Sequence, residues 1–415
     1  MGMSTVCVHG LGYIGLPTAA MLANYGHDVI GYDPSEAVID RIERGSVDQD
    51  EPGLQAFVAE ALDSGTLSVG TTPLPAEYQI ISVPTPITEE NEADLSYVRT
   101  AAETVGDELR EDDTVILEST VPPGTTTDVV RPILEQNGLT AGETFSLAYC
   151  PETVLPGNIL YELQHNDRIV GNVGTAQPTE AVELYETFVN GEIHTADATT
   201  AETAKLVQNA HRDLNIAFAN EIAKICDVND IDSRAAIKLA NTHPRVDVLN
   251  PGPGVGGHCL PVDPHFLVDR IEESVIKQAR MVNQSMVGHT ISLIEDVAAP
   301  LDNATVAVLG VAYKGGVADT RNSPGLRLAR QLQSNWPSIE VRLTDPHVDD
   351  QTLDLKPFEE AVRDADVAVL ITDHDTFGDL GPADFDPMAT PKLVDTRGVL
   401  DQVVFEDGGF DFVRL

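Results

Sequence analysis

The segment Gly10-Leu-Gly-Tyr-Ile-Gly15 constrains the fold of this chain more than any other feature. It follows a short apolar run, Thr5–His9, and precedes a pattern typical of a helix. A second apolar run, Asp28–Tyr32, ends at Asp33, which lies 21 residues after Gly12. Glycines at this spacing permit a tight turn and let a pyrophosphate approach the N-terminus of the helix. The order of strand, glycines, helix, strand and acid therefore predicts a Rossmann unit that binds a dinucleotide.

The acid at the end of the second strand predicts which dinucleotide binds. A carboxylate there accepts hydrogen bonds from the adenosine ribose and repels the 2′-phosphate of NADP. We therefore expect NAD as the cofactor. The residues of this unit expected to hold it are Gly10, Gly12, Tyr13, Ile14, Gly15 and Asp33.

Three further apolar runs extend the predicted sheet. Residues 78–83, 114–119 and 145–149 are each followed by a loop typical of ligand binding. Because ligands of doubly wound sheets bind at the carboxyl ends of the strands, we expect residues there to face the cofactor. These residues are Thr85, Glu118 and Thr120. Each of them could instead cap the helix that follows.

The charge of the chain limits its classes of partner. Its 415 residues include 67 acidic and 25 basic side chains, a formal net charge of −42, with the excess acid spread along the sequence. Nucleic-acid binding is disfavoured because it requires clustered lysine and arginine. Such a charge is typical of a cytoplasm with very high salt, where the Debye length is only ~3 Å at 1 M. We therefore expect a halophilic protein.

The apolar and cysteine patterns predict a cytoplasmic location. No apolar run reaches the ~18 residues that a bilayer requires, and the N-terminal pattern is not that of a signal peptide. We therefore expect no membrane partner. The four cysteines show neither C-x-x-C nor another metal-binding spacing, so we expect no metal and reduced thiols.

The chain divides into three predicted domains. Residues 1–197 contain the Rossmann unit, and residues 198–300 are mainly helical. Residues 301–415 repeat the first pattern, since VAVLGVAYKG and RLTDP parallel VCVHGLGYIG and IGYDP. The predicted fold class is therefore α/β, with two Rossmann-like doubly wound domains joined by a central helical domain.

Polar residues in the second and third segments suggest further sites. Lys205, Asn209 and Arg212 lie at positions i, i+4 and i+7 of an apolar helix and share one stripe. A lysine there suits proton chemistry, although a solvent-facing stripe would give the same pattern. Lys314 stands where the first Rossmann unit has Ile14, and with a second base nearby it suits a diphosphate.

The segment from Pro251 to Pro264 holds Cys259 in a loop. Four glycines and four prolines share its fourteen positions, so neither a helix nor a strand is expected there. A thiol in such a rigid loop suits nucleophilic catalysis, whereas a free cysteine can also be inert packing.

Together these features predict a two-step oxidation. NAD implies hydride transfer, and a thiol beside it implies capture of an aldehyde as a thiohemiacetal, followed by oxidation to a thioester. Water would then release a carboxylic acid. A 2-hydroxy-acid or 6-phosphogluconate-type dehydrogenase would need neither the Cys259 loop nor a second nucleotide domain. A non-catalytic nucleotide-binding regulator would not need the cysteine loop either.

The chain resembles the UDP-glucose/GDP-mannose dehydrogenase family over essentially its full length. The matching segments are GLGYIG, PTP, STVPPGTT, CPE, TAETAKLVQNAHRDLN, PGPGVGGHCLPVDP and AYKGGVADTRNSP. His258 and the run 150–171 resemble the branch that oxidises UDP-N-acetyl-D-mannosamine, in which Thr153 is normally arginine. The resemblance implies oxidation of C6 of that sugar, with UDP-glucose and UDP-N-acetylglucosamine as alternatives.

The resemblance also implies catalytic roles. Cys259 is similar to the nucleophile of the family, and Lys205 to its general acid/base and oxyanion partner. Asn209 resembles the residue that orients the oxyanion or the water. Asp263 resembles the acid that aids water activation, and Glu152 the glutamate of thioester hydrolysis.

The remaining implied roles concern binding. The residues that resemble substrate contacts are Arg212, His243, Arg245, Gly256, Tyr313 and Lys314. Arg321, which we group with the cofactor contacts, resembles a residue that reaches the site of a neighbouring subunit. The resemblance therefore implies a UDP-sugar substrate and a homodimer with a shared active site.

Overall fold

The computed structural model describes residues 3–47, 51–174, 177–268 and 271–415. They form two compact units: the first comprises the described residues up to 208 together with 265–268, and the second comprises residues 209–264 together with 271–415. No helix within the described ranges is both long enough and apolar enough to cross a membrane.

The first unit is built around an eight-stranded sheet. Its strands are β1 (Thr5–His9), β2 (Asp28–Tyr32), β3 (Leu67–Gly70), β4 (Tyr78–Ile81), β5 (Thr114–Leu117), β6 (Ser146–Tyr149), β7 (Arg168–Asn172) and β8 (Ile193–Asp197). They lie in the order β3-β2-β1-β4-β5-β6-β7-β8, and only the β6–β7 pair is antiparallel. The first six positions of this order are those of a dinucleotide-binding sheet.

Helices pack on both faces of this sheet. They are α1 (Gly15–Asn24), α2 (Glu36–Glu43), α3 (Leu54–Ser64), α4 (Ser96–Glu108), α5 (Arg131–Leu134), α6 (Ile159–His165) and α7 (Thr179–Tyr185). The central strands read as continuous apolar runs because both of their faces are covered: Thr114–Leu117 is buried throughout. A further helix, α8 (Ala198–Val228), has residues in both units.

The second unit contains a five-stranded parallel sheet. Its strands are β9 (Thr305–Leu309), β10 (Glu340–Thr344), β11 (Val367–Leu370), β12 (Lys392–Asp395) and β13 (Asp411–Arg414), in the order β10-β9-β11-β12-β13. The helices that follow α8 in the chain are α9 (Ser233–Ala240), α10 (Asp263–Val268), α11 (Val275–Ala298), α12 (Pro324–Asn335), α13 (Phe358–Val362), α14 (Asp375–Gly378) and α15 (Gln402–Asp407).

The predicted fold class is confirmed. Both sheets have the strand order of doubly wound α/β folds, and the long helices α8 and α11 lie between them in the sequence. The domain boundaries at 197/198 and 300/301 stay a prediction. The helix α8 begins at Ala198, and the first strand of the second sheet begins at Thr305.

Candidate active site

The glycine-rich turn after β1 leaves an open cradle at the N-terminus of α1. A Cβ on Gly10, whose φ is +96°, would lie 2.5 Å from the carbonyl oxygen of Ser82, and one on Gly15 would lie 1.9 Å from the carbonyl oxygen of Gly10. A Cβ on Gly12 would meet no atom of the described residues within 4 Å. The outer glycines are therefore required by the turn, whereas the middle one leaves room for a pyrophosphate.

The carboxylate of Asp33 lies beside this turn. Its Oδ2 accepts a hydrogen bond from the backbone N–H of Leu11 at 3.1 Å, and its Oδ1 accepts one from Ser35 at 2.9 Å. A carboxylate can accept about four hydrogen bonds, so capacity remains for a ribose diol. The cradle and the acid together fit NAD.

The loops after β4 and β5 meet each other. The hydroxyl of Thr85 donates a hydrogen bond to the carbonyl oxygen of Thr120 at 2.7 Å. Glu118, by contrast, is fully enclosed and accepts a hydrogen bond from the hydroxyl of Tyr185 at 2.7 Å. Burial raises the pKa of Glu118, while the charge of Arg168 and the bond from Tyr185 oppose that rise.

The predicted proton-transfer residue Lys205 is buried in α8, one turn after a glutamate that anchors a loop. Glu202 accepts hydrogen bonds from the backbone N–H groups of Gly124 and Thr126, at 2.5 and 2.7 Å, and from the Thr126 hydroxyl at 2.6 Å. Burial raises the pKa of Glu202, and these bonds counteract it. The helix that carries Lys205 therefore also fixes the loop that follows β5.

The carboxyl group of Glu152 lies just after β6 in a low-dielectric environment. Its Oε1 is buried and accepts no hydrogen bond from the described residues. Burial raises the pKa of Glu152 to about 7, although the positive charges of Lys205 and Arg168 act to lower it. A carboxyl group with such a pKa can exchange a proton near neutral pH.

Arg168 is a further charged residue near Glu118 and Glu152, and it was not predicted from the sequence. Its side chain is buried, with the guanidinium carbon 5.0 Å from the ring centroid of Tyr185 and 5.7 Å from that of Phe188. Its charge acts on both Glu118 and Glu152. The available signal was a lone arginine at the start of the apolar run RIVG.

In the second unit, Cys259 lies outside the helices and strands and is half-buried. Its carbonyl oxygen accepts hydrogen bonds from the backbone N–H groups of Val262, at 2.9 Å, and Asp263, at 2.8 Å. The predicted loop is shorter than expected, because the helix α10 begins at Asp263. Pro264 is compatible with the helix because proline is favoured in the first helical turn.

The glycines before Cys259 allow close packing against the turn after β9. A Cβ on Gly256 would lie 2.7 Å from the Cβ of Tyr313, and one on Gly257, whose φ is +84°, would lie 3.1 Å from the Tyr313 ring. The backbone N–H of Gly257 donates to the carbonyl oxygen of Arg321 at 2.8 Å, and Asn322 donates to the Gly257 carbonyl oxygen at 2.9 Å. The cysteine loop is thus fixed to the segment 313–322.

Two of the predicted catalytic residues are hydrogen-bonded to each other. The Nδ2 of Asn209 donates to the Oδ2 of Asp263 at 2.5 Å. Asp263 is buried and Asn209 is half-buried. Since Asp263 also closes the turn on Cys259, these three residues form one local arrangement within the second unit.

Arg321 lies beside the cysteine loop of its own chain. It forms an ion pair with Asp319 at 2.6 Å. Burial acts to lower the pKa of Arg321, but the hydrogen bonds to Asp319 and the nearby Cys259 and Tyr313 side chains raise it above its usual value. The positive charge therefore lies within electrostatic reach of Cys259, where it favours the thiolate form.

The other predicted substrate contacts are less enclosed. The side chains of Arg212, His243 and Arg245 are exposed, and the backbone N–H of Arg245 donates to the Nδ1 of His243 at 3.3 Å. Lys314 is half-buried in the turn after β9. Of the predicted substrate contacts, Tyr313 therefore packs against the cysteine loop. The side chains of Arg212, His243 and Arg245 lie at the surface.

The turn that carries Tyr313 and Lys314 is held by Asp345, at the position equivalent to Asp33. Its Oδ2 accepts hydrogen bonds from the backbone N–H groups of Val311 and Ala312, at 2.7 and 2.9 Å. The backbone N–H of Gly316 donates a hydrogen bond to the Nδ1 of His374 at 3.2 Å, so the proton of this ring is on Nε2, which donates a hydrogen bond to the Oδ2 of Asp345 at 3.1 Å.

Asp345 differs from Asp33, the equivalent residue of the first sheet, in the hydrogen bonds that it accepts from its own turn. Burial acts to raise the pKa of Asp345, but the bonds from His374 and from the backbone lower it to about 2. This carboxylate is engaged by its own turn more fully than Asp33, which accepts one bond from the first turn. The second turn is therefore not arranged to bind another dinucleotide ribose.

Comparison with known proteins identifies relatives over the whole chain. Residues 4–189 match the NAD binding domain of the UDP-glucose/GDP-mannose dehydrogenase family, residues 199–287 its central domain, and residues 307–402 its UDP binding domain. The UDP-N-acetyl-D-mannosamine dehydrogenase of Methanocaldococcus jannaschii is 42% identical, over 98% of this chain and 95% of the relative. The prediction of NAD as the cofactor is confirmed.

Solved structures show the same likeness. The UDP-D-ManNAc dehydrogenase of Pyrococcus horikoshii has a TM-score of 0.91 at 39% identity, covering 99% of this chain and 98% of that one. A UDP-glucose dehydrogenase of Pyrobaculum islandicum has a TM-score of 0.85 at 26% identity, covering 97% and 98%. Both sugar specificities therefore occur on this fold.

Proposed function

Because the chain belongs to the UDP-glucose/GDP-mannose dehydrogenase family, we propose that it oxidises C6 of UDP-N-acetyl-D-mannosamine from the alcohol to the carboxylate. Relatives and solved structures with that activity in their names are 38 to 42% identical to it. His258 before the cysteine and the VLPG run at 154–157 favour this sugar. The observation that carries the proposal is the turn that joins Cys259, Asp263 and Asn209.

Cys259 is the proposed nucleophile. After the first oxidation, its thiolate attacks the C6 aldehyde carbon, and the carbonyl oxygen takes a proton to give a thiohemiacetal. Loss of a hydride from C6 and of the hydroxyl proton gives a thioester. Water then adds to the thioester carbonyl, the carbon–sulfur bond breaks, and the acid and the thiolate are released. NAD, when bound at the turn of Gly10 to Gly15 and at Asp33, supplies the capacity to accept each hydride.

The proton steps are assigned to residues whose environments suit them. Lys205, buried in α8, is proposed to move the proton of the C6 hydroxyl and to stabilise the oxyanion. Glu152, with a pKa near 7, is proposed to take a proton from the attacking water. Asp263, held by Asn209, is proposed to aid water activation at the Cys259 turn.

The diphosphate of the substrate requires local cations. A UDP-sugar carries two negative charges, and the protein has a net charge of −42, so long-range attraction cannot recruit it. Arg212, Arg245 and Lys314 are the proposed partners, with His243, Gly256 and Tyr313 completing the substrate contacts. High salt would screen the distant repulsion while leaving such contacts effective. This requirement supports the proposed adaptation to a saline cytoplasm.

A homodimer with a shared active site is proposed from the surface of α8. Phe218, Ile225 and Val228 are 51%, 51% and 84% exposed and recur at positions i, i+7 and i+10, so they share one face of the helix. Large apolar side chains grouped on one face are typical of protein–protein contacts. In such a dimer Arg321 would belong to the shared site.

The substrate assignment is tested with a panel of UDP-sugars. Purified protein in high-salt buffer is given NAD with UDP-N-acetylmannosamine, UDP-glucose or UDP-N-acetylglucosamine, and NADH formation is followed by absorbance. We expect the highest kcat/KM with UDP-N-acetylmannosamine. Strong activity on UDP-glucose with little on UDP-N-acetylmannosamine would contradict the assignment and favour the UDP-glucose alternative. The residue that would then deserve comparison is Thr153, because the branch that oxidises UDP-N-acetylmannosamine normally has arginine at this position.

A further inference from the structure

The carboxylate of Glu51 joins two segments that are distant in sequence. Its Oε1 accepts a hydrogen bond from the hydroxyl of Tyr13 and another from the backbone N–H of Gly157 at 2.7 Å. Its Oε2 accepts one from the backbone N–H of Ile159 at 3.2 Å. Glu51 is only 8% exposed, and all four residues belong to the first unit.

One end of this connection lies in the cofactor turn. Tyr13 directly follows Gly12, the glycine with open space in front of it. A pyrophosphate in that space would rest against the backbone of residues 12–14 and restrict Tyr13. Through its hydroxyl, Tyr13 would pass that restriction to Glu51.

The other end lies in the segment between β6 and α6. Gly157 has a φ of +99° and belongs to the VLPG run, which follows Glu152 and Thr153. Ile159 is the first residue of α6, where a backbone N–H lacks a partner within the helix. Glu51 therefore fixes both the last residue of the VLPG run and the start of the helix that follows it.

A purely structural role would be that of a cap for α6. Such a cap needs an acceptor for Ile159 alone, which one oxygen of Glu51 supplies. The second oxygen instead joins Tyr13 to Gly157. A buried carboxylate with three donors is well satisfied, and losing one donor weakens its hold on the others.

We propose that Glu51 is a positioning residue that couples NAD binding at the turn of residues 10–15 to the order of residues 153–159. The coupling rests on NAD, the confirmed cofactor. Only our further expectation, that residues 153–159 contact the sugar of the substrate, rests on the proposed function. Because coupling between two ligands is reciprocal, a UDP-sugar that orders the segment would also tighten NAD binding.

Hydrogen–deuterium exchange tests this coupling directly, because the amides of Gly157 and Ile159 are themselves donors to Glu51. In the wild-type protein, NADH at saturating concentration is expected to slow their exchange about two- to tenfold, the effect of strengthening one hydrogen bond. In Tyr13→Phe, which removes only the hydroxyl, that NADH-dependent slowing is expected to disappear. Glu51→Gln should lose it as well, because an amide presents a donor where the site needs an acceptor.

The control is Tyr25→Phe, the same substitution at an exposed tyrosine just after α1. It should keep the full NADH effect. NADH binding is verified for each protein by fluorescence, and folding by circular dichroism. The proposal would be overturned if NADH bound to the wild-type protein left exchange at Gly157 and Ile159 unchanged, or if the effect were undiminished in Tyr13→Phe. Failure of the wild-type protein to bind NADH would overturn it as well. No sugar is needed, so failure of the UDP-sugar panel would be a separate result.

Discussion

The side-chain amide of Asn209 donates a hydrogen bond to the carboxylate of Asp263 at 2.5 Å. The backbone N–H of Asp263 in turn donates to the carbonyl oxygen of Cys259. A residue of the long helix α8 thus fixes the carboxylate four residues after the proposed nucleophile. This relationship lies within one compact unit and is the basis of the catalytic proposal.

Replacing Asp263 by asparagine is expected to slow thioester hydrolysis. The amide keeps the size of the side chain but cannot accept a proton, so kcat should fall about 10²- to 10³-fold. The acyl group should then accumulate on Cys259, which mass spectrometry of the enzyme quenched during turnover would detect. Asp302→Asn, at an exposed carboxylate, is the control and should behave like the wild type. Unchanged kcat in Asp263→Asn would contradict the role.

Replacing Cys259 by alanine is expected to abolish formation of the acid. Without the thiol no thioester can form, whereas a simple alcohol dehydrogenase would lose little activity. The product is measured by chromatography of the nucleotide sugars. Cys226→Ala makes the same change at a buried cysteine of α8 and should retain acid formation. Normal yields of uronate from Cys259→Ala would refute the nucleophile assignment.

The pKa of Glu152 predicts a pH dependence. As a general base Glu152 must be deprotonated, and its pKa is about 7. Where hydrolysis limits the rate, kcat should therefore rise about tenfold per pH unit below 7 and level off above it. Glu152→Gln should be slow and lack this limb. Glu186→Gln, at an exposed glutamate, should keep it; a limb that survives in Glu152→Gln would assign the titration to another group.

Replacing Asp345 by asparagine is expected to loosen the turn of Tyr313 and Lys314. The change loses the acceptor for Val311, Ala312 and His374 and should cost about 1–3 kcal/mol of unfolding free energy. KM for the UDP-sugar should rise more than KM for NAD. Asp349→Asn, at a nearby exposed carboxylate, is the control for denaturation and kinetics.

The lowered pKa of Asp345 also sets the pH window of its contribution. The folded-state pKa is about 2, below the ordinary value of 3.8. Its stabilisation is therefore complete above pH 3.8 and is lost as the pH falls through 2. The difference in unfolding free energy between the wild type and Asp345→Asn should shrink over that range. A difference that grows with acidity would contradict this assignment.

Replacing Phe218 by aspartate is expected to dissociate the proposed dimer. A charge on the apolar face of α8 cannot be buried against a partner without a large desolvation cost. Light scattering after size-exclusion chromatography in high salt should give the monomer mass, with loss of activity because the site is shared. Val403→Asp, at an exposed valine of α15, should remain dimeric. A monomeric wild type would contradict the dimer.

The fold could be predicted because its signals are local. The strand Thr5–His9, the glycine turn and Asp33 lie within one short stretch, and each determines the conformation of its neighbours. The strand β8 was not predicted, because it is mostly exposed and has no apolar run. The strand β7 was also missed, since its antiparallel pairing with β6 departs from the βαβ pattern.

The site could be predicted only in part, because its supporting contacts are long-range. Cys259 was found from one unusual loop, and Asp263 of the same loop from the family resemblance. Glu202, by contrast, binds a loop 76 to 78 residues earlier, and Glu51 binds one 106 to 108 residues later. In the sequence both are ordinary glutamates among 67 acidic residues, and only the folded chain distinguishes them.

The ratio of NADH to uronate tests the central claim most directly. With UDP-N-acetylmannosamine as the limiting substrate and excess NAD, the reaction is run to completion, and both products are quantified by absorbance and mass spectrometry. Oxidation through a thioester on Cys259 predicts two NADH for each uronate, without free aldehyde. One NADH for each sugar consumed, with the aldehyde as the product, would contradict the two-step mechanism.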